Sequence, residues 1–189
     1  YYGLVIVTPS FFASLHNGDA SESSMYLEVF IVSAAEFPGI LASAYLINRV
    51  GRKLTQVILL GITGVASLML IIDMPSWGTT IFAMLTRAAI LGAYSTLLVF
   101  TVEAYPTHLR ATAYGLCGAF SRIAGITTPF VAAIAGADDS YTIPLIVYGV
   151  TAMVAAALAY ILPIETGGMG TEIIAWLSFC GSLLMIFLF

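Results

Sequence analysis

A chain of 189 residues in which 60% are hydrophobic and only 8% are charged lacks the polar surface that a water-soluble fold must show. Six Lys and Arg in total exclude a nucleic-acid-binding surface, and the formal net charge of −4 matters less than where each charge stands relative to a bilayer. The composition is that of an integral multi-pass membrane protein.

In chain order, apolar runs predict transmembrane helices over about residues 1–15, 25–48, 54–73, 79–102, 111–136 and 141–163, because a bilayer core of roughly 30 Å needs about 20 apolar residues per helix. The first run starts at Tyr1 without a basic leader or a small-residue cleavage site. That pattern predicts a helix entered part-way and a chain cut from a longer one. The turns alternate in character. Asp19 with Glu22, Asp73, and Asp138 with Asp139 mark three turns free of Lys and Arg, whereas Arg49, Arg52, Lys53 and Arg110 mark the others. The positive-inside rule makes the basic turns cytoplasmic. Cys117 and Cys180 both fall in apolar runs and read as packing residues rather than a disulfide.

Glu36, Arg87 and Arg122 stand well inside spans. Glu36 precedes Phe37-Pro38-Gly39 in the second run, Arg87 lies in the fourth, and Arg122 in the fifth. A charge within a span is costly and must face a cavity or a partner. Glu36 therefore reads either as one half of a buried ion pair or as a group in a solute or proton path. In the fourth run Arg87, Leu91, Tyr94, Leu98 and Thr101 recur at helical spacing, which suits a cavity wall or a packed face with Arg87 paired to Glu36. Gly115, Gly118, Arg122, Gly125 and Pro129 surround the fifth run's cation with small residues that admit a close neighbour. Residues 54–72 of the third run and the whole sixth run carry no charge and suit a lipid-facing position.

At the basic rim the string Asn48-Arg49-Val50-Gly51-Arg52-Lys53 resembles the D-R-x-G-R-R/K loop of the major facilitator superfamily. Glu103-Ala104-Tyr105-Pro106-Thr107-His108-Leu109-Arg110 resembles that family's E-x-Y-P-T-x-x-R turn, and Leu162-Pro163-Ile164-Glu165-Thr166-Gly167 its L-P-x-E-T-x-G ending. Tyr1-Tyr2-Gly3-Leu4 and Glu36-Phe37-Pro38-Gly39 are similar to the branch holding the synaptic vesicle 2-related protein and the organic cation and anion transporters. The resemblance implies an all-α membrane fold, with residues 1–167 as helices seven to twelve of a twelve-helix carrier. Six N-terminal helices of the same protein would then complete it. It departs from the family pattern at Asn48, where an Asp is usual, and at Ala44, where a Gly is usual. Residues 168–189 form a further apolar segment where the family usually has a polar tail.

What the resemblance implies is transport of a small organic solute by alternating access. Glu36, Arg87, Tyr94 and Arg122 would lie on the solute path or in ion coupling, with protons a candidate coupled ion. Asn48, Arg49, Gly51, Arg52, Lys53, Glu103, Arg110 and Glu165 would form a cytoplasmic gating network. The alternative is a receptor or vesicle-binding protein that keeps the fold and moves no solute. The sequence shows no phosphate loop, nucleophile elbow or metal-ligand cluster, so neither an enzyme nor a cofactor is expected.

Overall fold

The computed structural model describes residues 1–15, 22–72, 76–104, 107–137 and 142–161, and among these residues it is helical without a strand. The elements are α1 (Tyr2–Leu15), α2 (Glu22–Ala34), α3 (Glu36–Val50), α4 (Arg52–Met69), α5 (Ser76–Ala104), α6 (Arg110–Ala137) and α7 (Thr142–Ile161). Cys180, Glu165 and the apolar segment 168–189 lie outside the described residues.

α2 and α3 together make one long apolar stretch, Tyr26–Val50, interrupted by a single slack turn at Ala35. Pro38 causes it. Proline has no N–H to offer the carbonyl four residues back, so one rung of the helical ladder is missing. The rungs beside it persist, from the Ala35 N–H to the Ile31 carbonyl and from the Gly39 N–H to the Ala35 carbonyl. Glu36 consequently sits in the first turn of α3, where the helix dipole favours an acidic group. At the other end of α3 the chain reverses in one residue. Gly51 has φ +93°, a conformation that costs a side chain dearly, and no other described glycine departs from negative φ.

α5 is the central post, touching α1, α2, α3, α4 and α6. Its 29 residues reach about 43 Å, enough to cross a bilayer core with turns to spare. Two apolar clusters hold the bundle. Phe12, Val32, Leu70, Ala83 and Leu145 pack at the end of the acidic turns. Leu59, Leu60, Ala93, Ala155 and Ala156 pack nearer the basic rim. Among the described residues, three stretches are long and apolar enough to cross a membrane, Tyr26–Val50, Trp77–Glu103 and Ile143–Ile161. α4 falls short because Arg52, Lys53, Gln56 and a run of hydroxyls lower its hydropathy. Its buried face toward α5 and α7 is mixed, with Thr55, Thr63, Gly64 and Ser67 set among Leu59, Leu60 and Ala66.

Those hydroxyls are satisfied inside their own helices. Thr55 donates to the Gly51 carbonyl, Thr63 to Leu59, Ser67 to Gly64, Thr86 to Phe82 and Thr96 to Gly92. Bonding back onto the helix lets a small polar group face another helix in a medium without water. Small residues then allow very close approach. A Cβ on Gly64 would meet the Met153 sulfur at 2.8 Å, and one on Gly149 would meet the Ser67 hydroxyl oxygen at 2.8 Å. α3 and α5 approach equally closely, since a Cβ on Gly39 would meet the Ala88 Cα at 2.8 Å. Gly39→Ala is therefore expected to lower stability by about 1–3 kcal/mol through overpacking. Gly61→Ala, at a position with nothing within 4 Å, should not lower it. Thermal unfolding of both variants in detergent checks the contrast.

Candidate functional site

The close contact of α3 with α5 decides the fate of two charges. Gly39 meets Ala88, and a Cβ on Gly92 would come within 3.2 Å of both the Gly39 carbonyl oxygen and Ser43. Glu36 is one turn before Gly39, and Arg87 immediately precedes Ala88. With the backbones held this near, the guanidinium reaches the carboxylate. Arg87 Nε donates to Glu36 Oε1 at 2.7 Å, and the terminal nitrogen of Arg87 donates to the same oxygen. The pair is enclosed, with side chains 6% and 19% exposed respectively. The other carboxylate oxygen accepts from the Tyr1 hydroxyl at 3.4 Å, which ties the start of α1 to the same point.

An aromatic wall continues from this pair. The Tyr1 ring stacks on Tyr94 at 6.0 Å between centroids, and its edge meets Tyr2 at 5.6 Å. Tyr94 lies close to Ser121, Tyr2, Tyr114 and Arg122. Tyr2 rests on Gly125, where a Cβ would stand 3.4 Å from the ring. α1, α3, α5 and α6 thus bring four phenols, one carboxylate and two guanidiniums to one face. Arg122, unlike Arg87, is exposed. Thr101, on the same stripe of α5 as Arg87 and Tyr94, is instead buried and donates to the Leu97 carbonyl.

The rim residues divide. Arg52 grips Glu103 with two parallel hydrogen bonds, Nε to Oε2 at 2.8 Å and the terminal nitrogen to Oε1 at 3.1 Å. The bonded carboxylate holds the Arg52 guanidinium charged beyond its already high ordinary value. Asn48 turns away from this pair and donates to the Ala44 carbonyl of its own helix at 3.0 Å. Arg49 stands over the Tyr45 ring at 5.6 Å and Lys53 over the Tyr160 ring at 5.9 Å. Arg110 is exposed at the start of α6, and Glu165 lies outside the described residues.

No family model matches this chain. Individual proteins do. The chain is 31% identical over 91% of its length to the synaptic vesicle 2-related protein of Xenopus laevis, 34% of which it covers. It is 31% identical over 89% of its length to organic cation/carnitine transporter 7 of Arabidopsis thaliana, covering 35% of that protein. With solute carrier family 22 member 13 of Homo sapiens it shares 35% identity over 91% of its length, and it covers 29% of that chain. This chain belongs to the major facilitator superfamily. It spans about a third of the length of these curated relatives.

Membership in the superfamily, with the three long apolar stretches, makes this a membrane protein. At the level of the family its relatives are carriers rather than enzymes. Pairing of Arg87 with Glu36 is one of the two readings the sequence offers, and the structure shows the two as partners. Reasoning from sequence did not select Tyr114 and Ser121 for the site. Tyr114, Gly118, Ser121 and Gly125 recur on one side of α6, and reading hydroxyls along with glycines would have found that stripe. It also passed over Glu28, a second carboxylate of the long apolar stretch, half-buried in α2.

Because the Glu36 and Arg87 side chains are enclosed, their loss should be strongly non-additive. Arg87→Gln leaves an uncompensated carboxylate and is expected to cost about 3–5 kcal/mol. Glu36→Gln combined with Arg87→Gln should cost less than Arg87→Gln alone. A double-mutant cycle from unfolding in detergent reads the coupling, and simple additivity would contradict the pairing.

Proposed function

We propose that the chain is the C-terminal half of a carrier that moves a small organic anion across a membrane by alternating access, working against six N-terminal helices of the same protein. The observation that carries this reading is the charge balance of the aromatic face. Glu36 and Arg87 neutralise one another, which leaves Arg122 as the exposed charge beside Tyr94. An exposed guanidinium against phenol rings suits a solute with a carboxylate or similar anionic group and an apolar body. The relatives named as transporters support a carrier in general.

Glu36 contributes by orienting Arg87 and Tyr1, so that the wall holds its shape while solute passes. The Arg52–Glu103 pair supplies a rim contact between α4 and α5 that forms in one state and parts in another. Both its side chains are about two-fifths exposed, 41% and 39%. Exposed pairs are weak because water screens and replaces them, which suits a contact that must break on every cycle.

Radiolabelled uptake by the full-length parent in vesicles, screened over organic anions, organic cations and sugars, tests the proposal. Arg122→Ala is expected to reduce anion flux roughly tenfold or more, as loss of one charge-assisted hydrogen bond of about 1.5–3 kcal/mol demands. Flux of cations or sugars that ignores this change would overturn the solute class. Saturable binding without flux would favour the receptor reading. In the same assay Arg52→Glu alone should slow uptake, and Arg52→Glu with Glu103→Arg should restore part of it. A pH profile flattened by Glu36→Gln would make Glu36 a proton-coupling group instead of an orienting one.

A further inference from the structure

We propose that the rim where α3 ends, α4 begins and α7 ends binds the phosphodiester headgroup of an anionic phospholipid. Three cations meet at this corner, and they are not equivalent. Arg52 points toward α5 and is engaged by Glu103. Arg49 and Lys53, on either side of the Gly51 reversal, point elsewhere, and among the described residues neither is paired with a carboxylate. Each is held instead over a tyrosine ring, Tyr45 of α3 and Tyr160 of α7. A ring face orients a cation without neutralising it, so both positive charges stay available to a phosphate.

The rings themselves are outward-facing. Tyr45 is 61% exposed and Tyr160 67%, far more than packing residues of a bundle. Val50, Leu54 and Ile161 beside them are also exposed large apolar groups. Phenol rings belong at the headgroup level of a membrane, with acyl chains against aliphatic residues below and phosphates against cations above. The corner therefore brings together the three kinds of group that a phospholipid meets: exposed aliphatic side chains, phenol rings and cations. It differs from a general scatter of basic residues because both cations are pre-ordered on rings from two helices that a bound lipid would bridge. Anionic lipids are the fitting occupants, since two unneutralised cations gain more from a headgroup of net negative charge than from a zwitterion.

The test uses the full-length parent with Tyr160→Trp as its sole tryptophan, reconstituted in vesicles. Quenching of its fluorescence by dibrominated phosphatidylglycerol is compared with quenching by dibrominated phosphatidylcholine. Phosphatidylglycerol is expected to associate several-fold more tightly, and Arg49→Ala and Lys53→Ala should each reduce that preference by about fivefold or abolish it. Equal quenching by the two lipids before any charge is removed would overturn the proposal, whatever the folding of the charge variants. So would a preference that survives Arg49→Ala with Lys53→Ala, or one that inorganic phosphate erases.

Discussion

The structure depends on one contact, the enclosed ion pair between Glu36 and Arg87. In a bilayer an unpaired charge has no water to fall back on, and the attraction of two opposite charges is correspondingly large. That attraction operates only if the helices carrying the charges come within a side chain's reach. Gly39, Ala88, Gly92 and Ser43 meet these terms by removing bulk from both helix faces at the turns beside the pair. The small residues are thus part of the electrostatics, because without them the charges could not meet. Pro38 contributes from the same segment by slackening the turn at Ala35, so that α3 starts with its carboxylate in place.

The same constraint shapes the uncharged polar groups. Hydroxyls at Thr55, Thr63, Ser67, Thr86, Thr96 and Thr101 are returned to their own backbones. They give narrow, satisfied surfaces that pack almost as alanine would. The charged and phenolic groups gather instead on the face shared by α1, α3, α5 and α6. There the phenols of Tyr1, Tyr2, Tyr94 and Tyr114 gather around charges that come from three different helices. α4 and α7 pack on the far side through glycine, alanine and small hydroxyl residues, which gives α5 a firm backing for the wall it presents.

The helical class, the membrane setting and the family were legible because each rests on a property of the chain itself. Long apolar runs need no knowledge of neighbours, and the rim strings around Gly51 and Pro106 are local. The pairing of Glu36 with Arg87 was visible only as one of two readings. Depth along a helix can be estimated from residue number, but lateral neighbours cannot. The close contact of Gly39 with Ala88 supplies what was missing. For the same reason the stack of Tyr1 on Tyr94 and the approach of Tyr94 to Ser121 were out of reach, since nothing local in those segments names its partner. The rim motif likewise gave the residues and not their division of labour. Asn48, Arg49, Arg52 and Lys53 are neighbours in sequence, yet the reversal at Gly51 sends Arg52 to a carboxylate and Arg49 and Lys53 to rings.

That division separates contacts by how easily they can be exchanged. An enclosed pair such as Glu36 with Arg87 is expensive to open, because each charge would be left in a medium that cannot solvate it. The exposed pair of Arg52 with Glu103 can trade its partner for water at little cost. A protein that alternates between two shapes needs both kinds of contact in different places. In the proposed alternating-access cycle the enclosed pair would keep α3 and α5 together, and the exposed pair would part and reform where α4 and α5 meet at the rim. If the positions were reversed, the wall would loosen in each turnover and the rim would lock in one state. The order found here, strong in the interior and weak at the edge, is the arrangement in which a bundle can tilt without losing the shape of the face it presents.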